Sequence, residues 1–216
     1  MNPVEVFSLE VSAFASNCHI IRPAQSDRVI VVDPGGDAET IAEFIRLHGW
    51  SVGLFLLTHG HMDHVGALAD MADQFPAPIA MHRLDAEWAF GMKNTMPPYF
   101  NEPPRAAVIS RDLQDGQTWT DLGLTYEVLE TPGHSPGSVS FYFQEQALLF
   151  SGDVLFAGSI GRSDLPGGNP RVLAQSLQRL LTLPNTTCIF PGHGAKTSIE
   201  NERAHNPFLR DLSWAD

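Results

Sequence analysis

The feature that most constrains this chain is the heptapeptide Thr58-His59-Gly60-His61-Met62-Asp63-His64. Three imidazoles and a carboxylate fall within six residues, directly after the apolar run Gly53–Leu57. Packing gives no reason for such a cluster at the end of a strand, whereas ligation of a cation does. Three more strand-like runs end in similar residues. They lead to His134 in Thr131-Pro132-Gly133-His134-Ser135-Pro136-Gly137, to Asp153 in Ser151-Gly152-Asp153, and to His193 in Pro191-Gly192-His193-Gly194. The expected fold therefore gathers several strand ends at one edge. Five histidines and two carboxylates suffice for two Zn²⁺-class ions and leave a bridging position for water.

The local spacing suggests how the donors divide. His59 and His61, two apart in a turn, converge on one ion. Asp63 and His64 aim at a neighbouring ion from the start of the next helix. Asp153 has two oxygens to share and is the natural bridge, and His134 and His193 complete one ion each. A hydroxide held between the ions is the expected nucleophile, since a metal lowers the pKa of its water toward neutrality. Either His134 or His193 alone would read as an ordinary loop-end residue; the cluster gives them their meaning. Zn²⁺ leads among metals for this nitrogen and oxygen set, with Fe²⁺ and Mn²⁺ also able to accept it. Asp33 ends a strand before a turn and is expected to orient a metal-binding imidazole from behind. His48 suits a helix C-terminus. His19, His82 and His205 have no motif around them and read as structural or surface residues.

The rest of the chain alternates strands and helices. Val4–Ser8, Cys18–Ile21 and Val29–Val32 read as strands, the third stopped by Asp33-Pro34-Gly35-Gly36. Asp37 is expected to cap a helix running to about His48, before Gly49. Gly53–Leu57 is a strand, and a second helix buries Val65, Leu68, Ala69 and Ala72 until Pro76 and Pro78 close it. Ile79–Met81 completes a β-α-β-α-β alternation. Residues 82–115 hold aromatic, methionine and proline residues, and are expected to start as a helix at Leu84 and then run irregularly over the site. Met96, Tyr99 and Phe100 either line that pocket or pack in the core. Strands follow at Leu124–Glu130, Val139–Phe143 and Ala147–Ser151, then a helix at Val172–Leu181, a strand at Thr187–Phe190 and a helix from Ser198 to about Asn206. The pattern predicts an α/β chain: two packed mixed sheets with helices outside, an αββα sandwich, in one domain spanning residues 1–216.

Composition narrows the partners. A formal net charge of −12 repels nucleic-acid phosphates, so a small molecule is the expected substrate rather than a polynucleotide. The start of the chain has no basic leader, and no apolar run is long enough to span a bilayer, so a cytoplasmic protein is expected. Cys18 and Cys188 fit no metal or redox spacing and read as buried thiols.

Taken together, Thr58-His59-x-His61-x-Asp63-His64, the glycine-flanked His134, Ser151-Gly152-Asp153 and Pro191-Gly192-His193-Gly194 resemble the metallo-β-lactamase superfamily, from Val31-Val32-Asp33-Pro34-Gly35 onward. The resemblance implies that His59, His61 and His134 hold the first metal, that Asp63, His64 and His193 hold the second, and that Asp153 bridges. Asp63 and Asp153 become the catalytic carboxylates. True β-lactamases usually lack an aspartate at the Asp153 position, which counts against β-lactam cleavage. Gly161-Arg162-Ser163-Asp164 and Glu202-Arg203-Ala204-His205-Asn206-Pro207 look like the glyoxalase II and persulfide dioxygenase branch. Arg162 is then a candidate contact for a substrate carboxylate, against a structural pair with Asp164. The implied activity is hydrolysis of a thioester such as S-lactoylglutathione, in the short single-domain form. The alternatives are a one-iron persulfide dioxygenase using His59, His134 and Asp153, or another hydrolase such as a lactonase.

Overall fold

The computed structural model describes residues 3–210. Its first half lays down β1 (Val4–Val11), β2 (Ser16–Pro23), β3 (Arg28–Val32), α1 (Ala38–Leu47), β4 (Ser51–Leu56), α2 (Met62–Val65), α3 (Leu68–Gln74), β5 (Ile79–Met81), α4 (Arg83–Ala86) and β6 (Arg111–Asp112). These strands form one six-stranded sheet in chain order. β1, β2 and β3 pair antiparallel, and β3 to β6 pair parallel, with helices in the crossovers.

The second half gives β7 (Thr118–Asp121), β8 (Leu124–Glu130), β9 (Val139–Phe143), β10 (Leu148–Gly152), β11 (Leu155–Phe156), β12 (Ser159–Ile160), α5 (Pro170–Leu180), β13 (Cys188–Pro191), β14 (Thr197–Ser198), α6 (Ile199–His205) and α7 (Pro207–Arg210). Its sheet runs β14-β13-β10-β9-β8-β7, antiparallel except for β10 against β13. β11 and β12 form a separate hairpin.

Alternation of side chains along each strand builds three apolar layers. In β3, Ile30 and Val32 face the second sheet, while Val29 and Val31 face α1. In β9, Phe141 and Phe143 fill the space between the sheets, and Tyr142 turns outward with Leu149 and Ile189 onto α5. Because both faces of the central strands are covered, they read as continuous apolar runs rather than as alternating ones. The architecture is the expected αββα sandwich.

Several local expectations need correction. Asp37 occupies the cap position of α1 but makes no side-chain cap bond; its backbone is left-handed and its carboxylate accepts from Ser12 N at 2.9 Å. The second helix is two pieces, α2 and α3, broken at Gly66 and Ala67. There the turn after β3 presses against it: Ala67 N donates to Pro34 O, and a Cβ on Gly66 would strike Gly35 O. The helix at Leu84 is a single turn, and β6 emerges from the irregular stretch to extend the first sheet. β7, a polar edge strand, and the two-residue strands β11, β12 and β14 carry no apolar pattern that a sequence reading could detect. Neither cysteine is in a disulfide; Cys18 is buried and Cys188 partly so. Among the described residues, no helix is long and apolar enough to cross a membrane.

Candidate metal centre

Each candidate donor lies just beyond the carboxyl end of a strand. β4 leads to His59, β8 to His134, β10 to Asp153 and β13 to His193. Val139 N donates to Thr58 O at 2.8 Å, which ties the two sheets together beside the cluster. His59, His61 and His134 offer ligand atoms within 4.8 Å of one another, and so do Asp63, His64 and His193. Asp153 lies between the two trios. Its Oδ1 is 3.4 Å from His64 Nε2, and its Oδ2 is 3.6 Å from His134 Nε2 and 3.5 Å from His193 Nε2.

The rings are held from behind. His64 Nδ1 contacts Asp33 Oδ2 at 3.1 Å, His59 Nδ1 contacts Thr58 Oγ1 at 3.0 Å, and His134 Nδ1 contacts the Arg162 carbonyl at 2.7 Å. An acceptor on Nδ1–H fixes the tautomer and turns the lone pair on Nε2 into the site. Asp33 also accepts from Thr58 N at 2.8 Å and Thr58 Oγ1 at 2.5 Å. Asp33 therefore has the orienting position expected for it, even though it forms a third close group with His59 and His64.

The inward-facing atoms fit a cation. His59 Nε2, His64 Nε2 and Asp153 Oδ1 are buried with no hydrogen-bond partner. A buried polar atom without a partner is costly, and a cation satisfies all three. His61 Nδ1 and His134 Nε2 face each other at 2.9 Å, within hydrogen-bond distance. Gly192 leaves the room required: a Cβ there would collide with Asp153 Oδ1 and the His64 ring.

The superfamily profile of the metallo-β-lactamases matches residues 11–193. The chain belongs to the metallo-β-lactamase superfamily. It is 38% identical over 189 residues to the probable metallo-hydrolase YqgX of Bacillus subtilis, covering 87% of this chain and 90% of that one. It is 35% identical over 208 residues to the hydroxyacylglutathione hydrolase GloC of Haemophilus influenzae, covering 95% and 98%. Among solved structures, the BLEG-1 B3 metallo-β-lactamase superposes with a TM-score of 0.90 at 34% identity, covering 96% of this chain and 100% of that one. TTHA1623 in a di-iron-bound form superposes with a TM-score of 0.85 at 37% identity, covering 94% and 100%. The fold is thus the metallo-β-lactamase fold, and the His/Asp cluster sits in a superfamily of metal-dependent hydrolases.

Without a cation, the two halves of this metallo-β-lactamase site differ in charge. Burial, together with the facing rings of His64, His134 and His61, lowers the His59 pKa well below its usual value. Burial and His134 bring His61 down to about 3. On the other side, burial opposes protonation, but Asp153, Asp63 and Asp33 outweigh it and raise His64 to about 9. Asp153 and Asp63 likewise overcome burial to raise His193 to about 10. The reciprocal effect keeps both carboxylates ionised: burial pushes Asp63 and Asp153 up, and His64 and His193 more than offset it. In the metal-free protein, imidazolium protons supply the positive charge that the carboxylates attract.

Four positioning residues have no motif in the sequence. Asp85, fully buried, accepts from Gly60 N at 2.8 Å, Ser135 Oγ at 2.6 Å and Gly137 N at 2.6 Å. It therefore joins the loop of His59 and His61 to the loop of His134. Asn94 donates to Gly60 O and Ala89 O and accepts from Met62 N. Asn17 donates to Pro191 O and Gly194 O, and His19 contacts Pro191 O at 3.0 Å. His19 is structural, as expected, but what it supports is the His193 turn. Burial lowers its pKa to about 4, so the ring is neutral.

Arg162 lies on the rim of a cleft of about 490 Å³ that opens onto the site beside Phe14, Met96, Tyr99 and Leu165. Its guanidinium forks onto Asp164 at 2.7 and 2.8 Å, with both side chains exposed at the cleft rim. What Arg162 does supply is the carbonyl behind His134. Glu202 and Asn206 hold the β11–β12 hairpin leading to that carbonyl, through Gly158 N at 2.8 Å and Ser159 O at 2.9 Å. Met96 and Tyr99 line the cleft as expected; Phe100 instead packs edge-on against Phe14.

Proposed function

We propose that this protein is a two-metal hydrolase of thioesters, with S-lactoylglutathione as the leading substrate. The observation that carries the reading is Asp153 set between two complete donor trios, with its carboxylate within 3.4–3.6 Å of His134 of one trio and of His64 and His193 of the other. In this assignment His59, His61 and His134 hold one ion, Asp63, His64 and His193 hold the other, and Asp153 is shared. Zn²⁺ is the first candidate; the di-iron neighbour makes Fe²⁺ the second. Bound divalent ions supply Lewis-acid polarisation of a carbonyl and activation of water. The protein's part is to aim the donor atoms inward and to keep Asp63 and Asp153 ionised. Carboxylates held ionised make poor general acids, and a thiolate leaving group does not need one. The likeness to GloC over 95% of this chain supports a hydroxyacylglutathione as substrate.

A metal-loaded sample offered S-lactoylglutathione, a β-lactam and glutathione persulfide under oxygen tests this. Rapid release of glutathione from the thioester is expected. Cleavage of the β-lactam alone would follow the BLEG-1 likeness instead, and oxygen uptake by a one-iron form on His59, His134 and Asp153 would replace the hydrolase with a dioxygenase.

A further inference from the structure

Beside the metal cleft lies a second cavity of about 320 Å³. It shares His61, Met62, Met96 and Leu165 with that cleft, so the two adjoin. Its other walls are mostly apolar, from Trp88, Pro136 and Pro166. Lys93 is the one charged side chain lining it. Thr95 also lines it, but its hydroxyl is donated to Met92 O. Lys93 has no acidic partner among the described residues, whereas Arg162 on the neighbouring rim is already forked onto Asp164.

The wall that carries Lys93 is fixed. Asn94, 1% exposed, bonds the backbone at Gly60, Met62 and Ala89, so the segment is pinned to the ligand loop itself. Trp88 stacks obliquely on His61 with centroids 5.3 Å apart, and its side chain bonds to Asp85. A largely apolar cavity lined by a candidate ligand imidazole and by an exposed ammonium with no acidic partner suits a flexible chain with a terminal anion. On a molecule of net charge −12, such an anion approaches against the overall field, and a local cation is what would select it.

We propose that this side cavity receives the thiol arm of the thioester, that the arm ends in a carboxylate, and that Lys93 meets it. This deepens the hydrolase reading and rests on it for the reacting bond alone. Lys93 is a specificity residue here and takes no part in bond breaking.

The test compares S-lactoylglutathione with the S-lactoyl thioester of N-acetylcysteamine, whose thiol arm is neutral. Lys93→Gln should raise KM for the glutathione thioester about fivefold with kcat within about twofold, and leave the neutral thioester unaffected. Lys93→Glu should raise KM further, and Lys93→Arg should restore it. An unchanged KM, or an equal change on both thioesters, overturns the proposal. Quenching of Trp88 fluorescence by S-hexylglutathione, a thioether that cannot be hydrolysed, separates this from failure of the hydrolase reading. If the protein cleaves no thioester, Lys93-dependent binding of that probe keeps the cavity assignment; binding that ignores Lys93→Gln, or no binding, removes it.

Discussion

Replacing Asp85 with alanine should loosen the metal centre without touching any donor. The carboxylate accepts from the amides of Gly60 and Gly137, at 2.8 and 2.6 Å, and from Ser135 Oγ. Ser135 keeps a second partner in Ser138 Oγ at 2.7 Å, so its loss is small. The two amides are left buried without an acceptor, at roughly 1–3 kcal/mol each. Burial raises the Asp85 pKa, so removing the charge relieves a penalty and trims that sum. We expect a net loss of about 2–4 kcal/mol for Asp85→Ala and about 1–3 kcal/mol for Asp85→Asn, which keeps one acceptor oxygen. Such a loss leaves the chain folded if its stability is in the ordinary range of about 5–15 kcal/mol. Gly60 and Gly137 belong to the two loops that carry His59, His61 and His134, so metal affinity should fall with stability. Urea denaturation of the metal-free protein, paired with chelator competition on the loaded one, reads both quantities. Ser135→Ala is the control, with about 1 kcal/mol or less. If Asp85→Ala stays within about 1 kcal/mol of the parent and keeps its metal affinity, the carboxylate does not join the loops energetically.

Asp153→Ala should lower metal content and turnover together, because it removes the group between the two trios; unchanged occupancy of two ions, by elemental analysis, would refute its bridging role. Metal binding at the Asp63, His64 and His193 side should release protons. In the metal-free state His64 titrates near about 9 and His193 near about 10, so at neutral pH both carry a proton that the metal must displace. The affinity of that side should therefore rise with pH, by up to about a hundredfold per unit below pH 9. Affinity at the other side should respond less, since His61 is already neutral above about pH 3 and His59 is also lowered. Calorimetry in buffers of different ionisation heat measures the protons, and a release of none contradicts the charge state described. Gly192→Ala should abolish metal binding at the second side, because its methyl strikes Asp153 Oδ1 and His64; a fully loaded, active variant would show that the turn gives way.

The donors were legible in the sequence because a strand end has no packing use for His59, His61 and His64, and a turn after an apolar run has a fixed address. The sandwich was legible for a related reason. Runs such as Val29–Val32, and Val139–Phe143 with only Ser140 polar, bury side chains on both faces, which only a covered strand tolerates. Asp85, Asn94 and Asn17 were not legible. Each is a single polar residue in an unremarkable stretch, and its role depends on backbone groups brought near by the fold, from as far as Pro191 for Asn17. Arg162 was legible only in part: the sequence shows a cation near the site and Asp164 as a partner, but not that its carbonyl stands behind His134. The break between α2 and α3 depends on a turn from another element reaching Gly66, and no helical period records that.

A two-ion site that cleaves a thioester needs both ions for turnover. Stepwise addition of Zn²⁺ to the metal-free protein, with glutathione release from S-lactoylglutathione followed at each step, tests it most directly. Turnover should climb to a plateau at two equivalents per chain. A plateau at one equivalent, or two bound equivalents with no thioester cleaved, would contradict it.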